Sequence, residues 1–153
     1  MSVIAGLTVR RTSLDEILAL RHAELRPGFP EDAAVFEGDG EPTTWHFGAF
    51  LASGANVGCA SFMRRPRRGE DAHQLRGMAT RRDVLHRGIG SALLATAERH
   101  IRDATGIRLF WCNARVAAIP FYERMGWTAV SEVFDIATVG PHRTMLRRCP
   151  AAG

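Results

Sequence analysis

The sequence contains no lysine: all 20 of its Lys/Arg residues are arginine, and the formal net charge is only +4. Selection for phosphate contact would not exclude lysine, so we attribute this bias to the composition of the source. The arginines are scattered among carboxylates along the whole chain, which argues against a nucleic-acid partner. The densest basic stretch, residues 64–68, lies beside Pro66 and Gly69, and we interpret it as a solvated hairpin connection rather than a polyanion site.

Long apolar runs are also missing, since none approaches the roughly 20 residues that are needed to cross a bilayer. The first residues, 1–8, are too short and too weakly basic for a signal peptide. Cysteine is rare: Cys59, Cys112 and Cys149 are widely spaced, with no CxxC pair and no histidine at a metal-ligand spacing. We therefore expect a soluble, cytoplasmic protein with no membrane partner, no disulfide framework and no bound metal.

The length of 153 residues, with 46% hydrophobic residues, is enough for one core and too small for two ordinary domains. The sequence has no internal repeat and no low-complexity tract. Segments with strand and helix periodicity alternate along it, which predicts one mixed α/β domain over residues 1–153.

Alternating hydrophobicity predicts six strands, with a Ser53-Gly54 hairpin after the second and a loop or short irregular helix over residues 31–42. The strands are Leu7–Arg11, Thr43–Ala52, Asn56–Met63, Ala72–Thr80, Trp127–Phe134 and His142–Arg147, and Leu109–Cys112 is a shorter, buried one. Spacings of three and four predict helices over Leu14–Leu25, Ile89–Arg102 and Val116–Met125. Ser13 and Glu16 form a capping-box pattern for the first helix, and Gly106 and Gly126 end the other two.

The segment between the Ala72–Thr80 strand and the Ile89 helix has the pattern of an anion site. Gly88, Gly90 and Ser91 lie where the helix begins, so several backbone N–H groups lack a partner there. These donors and the helix dipole favour a pyrophosphate, and glycine allows close approach of the backbone. Taken alone, the pattern is equally compatible with a tight strand-to-helix turn.

Together with two flanking segments, this turn resembles the GCN5-related N-acetyltransferase (GNAT) superfamily, from about Gln74 to Trp127. The last three positions of the pattern [Gln/Arg]-x-x-Gly-x-[Gly/Ala] are met by residues 88–90, whereas Leu85 departs from its first position. Arg87 or Arg82 could replace the side-chain contact to the pyrophosphate that this departure removes. Asn113, followed by the Phe-Tyr-Glu-Arg-Met-Gly-Trp run at 121–127, resembles a second motif of the family in the same chain order.

The resemblance implies a GNAT fold and acetyl transfer from acetyl-CoA to an amine of a small molecule or peptide, without a covalent enzyme intermediate. It implies Tyr122 as general acid, because a phenol with a pKa near 10 can protonate a thiolate whose acid has a pKa of about 8.5. A backbone N–H near Met78 would polarise the acetyl carbonyl. The residues implied in CoA binding are Met78, Ala79, Thr80, His86, Arg87, Gly88, Ile89, Gly90, Ser91, Asn113, Phe121, Tyr122 and Arg124.

The resemblance identifies neither the acceptor amine nor the general base. Candidates for the base are the titratable residues that could face the acceptor: Glu24, Asp39, His46, His73 and His142. A water chain could serve instead. Cys112 is interpreted as a small buried residue rather than a nucleophile. A homodimer is left open.

Two other classes of function compete with an enzyme. One is a catalytically weak acyl-CoA-binding or sensor module of the same fold, which the departure at Leu85 would favour. The other is a nucleotide-binding α/β domain, but the sequence has no Gly-x-x-x-x-Gly-Lys-[Ser/Thr] and no acidic residue that follows a strand about 20 residues beyond the glycines.

Overall fold

The computed structural model describes residues 4–151, and in them eight strands form one sheet. The strands are β1 (Thr8–Thr12), β2 (Trp45–Phe50), β3 (Asn56–Arg64), β4 (His73–Thr80), β5 (Leu109–Arg115), β6 (Thr128–Ala129), β7 (Phe134–Ile136) and β8 (Gly140–Arg148). Their order is β1-β2-β3-β4-β5-β8-β6, with β7 also paired to β8. All described pairs are antiparallel except β4–β5, which is parallel, so the sheet is mixed.

Helices cover both faces of this sheet. The α-helices are α1 (Leu14–Leu25), α2 (Ile89–Thr105) and α3 (Ile119–Arg124), and short 3-10 turns occur at Glu31–Ala34, Arg82–Val84 and Val116–Ala118. Side chains alternate along β3: Cys59 packs with Ile17 and Leu20 of α1, whereas a Cβ on Gly58 would touch Ile89 and Leu93 of α2. The two long helices therefore lie on opposite faces.

The sheet divides between β4 and β5. These strands pair only at His73–Phe110 and Gln74–Trp111, after which β4 stays with β3 while β5 stays with β8 as far as Arg115. The β3–β4 register shifts between Cys59 and Ser61, where Gly77 adopts a φ of +65°, so β4 carries a bulge. Diverging strands and a bulge leave a cleft at this point.

The mixed α/β fold that the sequence predicts is confirmed. α1 begins and ends as expected, and α2 ends at Gly106 in a left-handed conformation. The capping box predicted for α1 is wrong: the Ser13 side chain makes no cap hydrogen bond, and the Glu16 carboxylate accepts hydrogen bonds from Thr12 and Arg10. The third helix begins with a 3-10 turn, so only six of its residues are α-helical.

The strand expected over residues 127–134 is also wrong, because the chain forms β6, leaves the ladder and forms β7. The hydroxyl of Ser131 accepts the Thr144 N–H at 2.8 Å, and its carbonyl oxygen accepts from Arg143. A side chain therefore takes a position that a backbone carbonyl would hold in a continuous strand. No helix between residues 4 and 151 has the length and apolar character to cross a membrane.

His73 should make the protein sensitive to acid. It is buried, and its ring stacks on that of Phe110. Burial lowers the pKa of its imidazole from 6.5 to about 4. The folded state therefore binds fewer protons than the unfolded state in this range, so the contribution to stability is present above pH 6.5 and is lost as the pH falls towards 4. We expect up to about 3 kcal/mol of unfolding free energy to depend on it.

Urea unfolding at pH 7, 5.5 and 4 measures this effect in wild type, in His73→Leu and in His100→Leu, which removes an exposed histidine. His73→Leu should flatten the fall in stability between pH 6.5 and 4, whereas the control should keep it. Equal slopes in all three proteins would assign the acid sensitivity to other groups.

Candidate active site

The cleft between β4 and β5 has a volume of about 410 Å³. β4 and the end of β5 form two of its sides, the end of α1 and Phe36 lie on one face of the sheet, and Tyr122 of α3 lies at its base. The residues that line it are Leu25, Arg26, Phe36, Gln74, Leu75, Arg76, Gly77, Met78, Cys112, Asn113, Ala114, Arg115, Ala118, Tyr122, Ile136, Val139 and His142.

The N-terminus of α2 presents a row of free backbone donors. The first helical hydrogen bond runs from the Ala92 N–H to the Gly88 oxygen, and within residues 4–151 no acceptor receives the N–H groups of residues 86–91. Gly88 adopts a φ of +81° and His86 a φ of +63°, so the turn into α2 contains two residues in the left-handed conformation. Such an array of N–H groups at a helix N-terminus binds anions such as a pyrophosphate.

This donor row adjoins the cleft through Gly90. A Cβ at Gly90 would lie 3.4 Å from the ring of Phe121 and 3.5 Å from the Cε atom of Met78, a residue of the cleft. The side chain of Leu85 is 45% exposed. Leu85 can offer an anion no hydrogen bond, so the backbone N–H groups and the exposed side chain of Arg87 remain as donors at this loop.

Tyr122 is buried at the base of the cleft, between the rings of Phe121 and Trp127. Its hydroxyl lies 3.8 Å from Sδ of Met78. Burial, and then the neighbouring Cys112, raise the pKa of the Tyr122 phenol well above its ordinary value. The hydroxyl therefore keeps its hydrogen across the physiological range and can donate it to a group in the cleft.

Two neighbours on β5 have different environments. Burial raises the pKa of the Cys112 thiol to about 12, so this thiol is protonated near neutral pH and is a poor nucleophile. Asn113 is exposed at the cleft, and its Oδ1 accepts a hydrogen bond from Thr144 at 2.9 Å. That bond leaves the amide NH₂ group of Asn113 free to donate.

Of the five candidates for the general base, His142 is the one that lines the cleft. Its Nδ1 lies 2.7 Å from the carbonyl oxygen of Gly140, which can only accept, so in the neutral ring Nδ1 carries the hydrogen and Nε2 has the lone pair. The ring stacks on Phe134.

The other four candidates lie outside the cleft lining. Asp39 is paired with Arg21, and His46 is hydrogen-bonded to Ser61 and to the Asp39 backbone oxygen. Glu24 pairs with Arg82, and His73 lies at the opposite end of β4.

Three further residues implied in CoA binding are not part of the cleft lining. Ala79 packs its side chain with Ile17 and Leu20, so only its backbone remains for a ligand. Thr80 is half-buried at the end of β4, and Arg124 is exposed at the end of α3, outside the cleft lining. Within residues 4–151 no group of three His, Cys, Asp or Glu side chains is placed to hold a metal ion.

Sequence reasoning missed a charged cluster on the α1 side of the cleft. The fully buried guanidinium of Arg21 donates to both carboxylate oxygens of Asp39, at 2.7 and 3.1 Å, and to Ser61. Arg26 and Arg76 lie beside it, around the ring of Phe36. In the sequence, Arg21 and Asp39 lie in polar segments that are typical of exposed surface. The only sequence signal of a bulge at this site was Gly77, a glycine inside strand β4.

Comparison with known proteins gives a consistent result. Residues 12–127 match the model of the Acetyltransferase (GNAT) family. The chain is 32% identical, over 144 residues, to the uncharacterized N-acetyltransferase YitI of Bacillus subtilis, covering 92% of this chain and 95% of YitI. Escherichia coli ElaA superposes with a TM-score of 0.77 at 15% identity, covering 93% of this chain and 99% of ElaA. An aminoglycoside 6'-N-acetyltransferase solved with coenzyme A superposes with a TM-score of 0.74 at 14% identity, covering 95% and 99%.

Proposed function

Since the chain belongs to the GNAT family of acetyltransferases, we propose that it transfers an acetyl group from acetyl-CoA directly to an amine. The observation that carries this proposal is the row of free N–H groups at residues 86–91, which adjoins a cleft containing a buried phenol. A pyrophosphate on the donor row would let the pantetheine arm of the same molecule enter between β4 and β5.

Within the cleft, the unpaired edge of β4 beyond Gln74 is available to the pantetheine amides, and the NH₂ group of Asn113 can donate to them from β5. A backbone N–H near Met78 would polarise the acetyl carbonyl. Holding the thioester and the amine together in this way supplies much of the rate enhancement in a transfer of this kind.

The chemistry then requires two proton movements. The amine nitrogen attacks the thioester carbon, and His142 Nε2 takes the proton that the nitrogen gives up. As the C–S bond breaks, the Tyr122 hydroxyl donates its hydrogen to the departing sulfur. Solvent returns the proton from His142 to Tyr122, which restores both groups.

One observation favours a second candidate, an acyl-CoA-binding module with weak turnover. Leu85 stands where the family pattern has Gln or Arg and is exposed, so one side-chain contact to the pyrophosphate is missing. The two candidates differ in turnover, because only the enzyme releases free CoA when amines are added.

A thermal-shift panel followed by a thiol-release assay tests the proposal. Acetyl-CoA at about 100 times its Kd should add roughly 2.7 kcal/mol, which is about 5 to 10 °C in Tm for a chain of this size. ATP and NAD should do little, and an amine library should release free CoA. Stabilisation without thiol release would favour the binding module, and stabilisation by ATP alone would exclude the assignment of the donor row.

Two glycines at opposite ends of α2 make a matched pair for this panel. Gly88 and Gly106 both adopt left-handed conformations, at φ of +81° and +74°, so alanine strains both similarly. Only Gly88→Ala places a methyl group beside the donor row, and we expect it to raise the Kd for CoA roughly 10- to 100-fold through lost hydrogen bonds to the charged phosphates. Equal Kd values for the two variants would contradict the proposed pyrophosphate site.

A further inference from the structure

The α1 side of the cleft carries positive charge around an aromatic ring. The guanidinium carbons of Arg26 and Arg76 lie 5.2 and 4.8 Å from the centroid of the Phe36 ring, and both residues line the cleft. Arg21 lies 4.4 Å from the same ring, but its charge is balanced by Asp39. The Phe36 ring therefore holds the guanidinium groups of Arg26 and Arg76 at the surface of the cleft.

Neither of these two arginines has a counterion in the part of the chain that the structure describes. The guanidinium of Arg76 donates no hydrogen bond there, and that of Arg26 donates only to the backbone oxygen of Leu25, at 2.9 Å. The described lining of the cleft includes no aspartate or glutamate. Half-burial of a cation without an anion is unfavourable, so the free protein leaves a charge that a ligand could balance.

The electrostatics of Arg76 agree with this geometry. Burial lowers the pKa of its guanidinium below the ordinary value, Asp39 opposes this effect, and Arg21 and Arg26 add to it. Asp39 is already committed to Arg21, so it does not neutralise Arg76 by contact. An anion in the cleft would offset the repulsion among these arginines.

Arg26 and Arg76 are separate from the donor row at residues 86–91. A Cβ at Gly77 would lie 3.0 Å from the Phe36 ring, which places Phe36 on the α1 side of β4. The free N–H groups lie at the N-terminus of α2, on the opposite face of the sheet. One bound pyrophosphate therefore would not satisfy both.

We propose that the acceptor is a primary amine that also carries an anionic group, a carboxylate or a phosphate monoester, and that Arg26 and Arg76 bind that group. This inference rests on the proposed acetyltransferase function and names its acceptor class. The planar fork of arginine matches the paired oxygens of both kinds of anion. The amine would then lie further into the cleft, towards Met78 and Tyr122.

Matched acceptors test the charge requirement in the wild-type enzyme. Each amino acid, as acceptor, is compared with the corresponding amino acid amide, in which a neutral amide replaces the carboxylate. O-Phosphoethanolamine is compared with ethanolamine. The acidic member of at least one pair should have a kcat/KM roughly 10- to 100-fold higher. The pair in which the preference occurs distinguishes a carboxylate from a phosphate, and no preference in any pair would overturn the inference.

Arg76→Met and Arg26→Met keep an apolar stem against Phe36 but remove the charge. They should raise KM for the acidic acceptor roughly 10- to 100-fold, and so lower the ratio of kcat/KM between the acidic acceptor and its neutral partner by the same factor. Arg76→Lys should recover part of the loss. Arg99→Met, which removes an exposed arginine from α2, controls for net charge. An equal loss for acidic and neutral acceptors would mean a structural role.

Titration calorimetry in the presence of CoA separates this inference from the proposed function. An acidic amine that binds through Arg26 and Arg76 but is never acetylated would contradict the acetyltransferase and support the anion site. If neutral and acidic amines were acetylated equally well, the result would support the acetyltransferase and contradict the anion site.

Discussion

Tyr122→Phe is expected to lower kcat by roughly 10- to 10,000-fold with little change in the affinity for acetyl-CoA. The substitution keeps the ring between Phe121 and Trp127 and removes only the hydroxyl. That hydroxyl faces a weak partner, Sδ of Met78 at 3.8 Å, so its loss should cost the fold little. The size of the effect depends on how well water can protonate the thiolate instead.

The measurement is single-turnover thiol release from pH 6 to 10, with Tm as the check on folding. Because the pKa of the Tyr122 phenol is raised well above 10, wild type should not lose activity through its ionisation in this range. An unchanged kcat in Tyr122→Phe, with chemistry limiting turnover, would remove the phenol from the mechanism.

His142→Gln is the companion variant in the same series. Glutamine can still donate a hydrogen bond to the Gly140 oxygen but cannot take a proton from the amine. The variant should lower kcat for acetyl transfer, because no side chain then takes the proton that the amine gives up. If Tyr122→Phe and His142→Gln change the pH profile in the same way, their assignment to separate proton movements is wrong.

The sequence predicted the parts of this protein that depend on neighbouring residues. The Gly88 turn, the Ile89 helix and the Phe-Tyr run are local patterns, and the structure brings the turn and the run together through Gly90 and Phe121. The break between β6 and β7 could not be predicted, because it depends on Ser131 reaching a strand 13 residues further along the chain.

The acceptor side of the cleft was beyond sequence reasoning for the same reason. Its charges meet on Phe36 from α1, from the following loop and from β4, which are separated by up to 55 positions. An arginine on a surface-like helix pattern gives no sign that it will be fully buried. Only the fold sets which arginine is neutralised, Arg21, and which remain free to meet a ligand.

The buried pair of Arg21 and Asp39 also supports the geometry of the cleft. A Cβ at Gly77 would lie 2.7 Å from Nε of Arg21, so the guanidinium packs directly against the bulge of β4. Asp39 holds this guanidinium with two hydrogen bonds and accepts a third from the Phe36 N–H at 2.6 Å. The pair thus fixes the bulge and Phe36 together, one residue before Met78.

Asp39→Asn should therefore destabilise the protein strongly, because it leaves a fully buried guanidinium without a countercharge. We expect a loss of about 3 kcal/mol or more, which lowers Tm by roughly 10 °C. Glu41→Gln is the matched control: it removes the same charge two residues away, from an exposed pair with Arg65, and should leave Tm nearly unchanged.

The double variant Arg21→Met/Asp39→Asn distinguishes loss of the pair from loss of packing. Removing the cation as well takes away the unpaired buried charge, so the double variant should be less destabilised than the sum of the single variants. Urea unfolding at pH 7 gives the three free energies. If Asp39→Asn lowers Tm no more than Glu41→Gln does, water must reach the Arg21 guanidinium, and the bulge beside Met78 would then be held by the β3–β4 ladder alone.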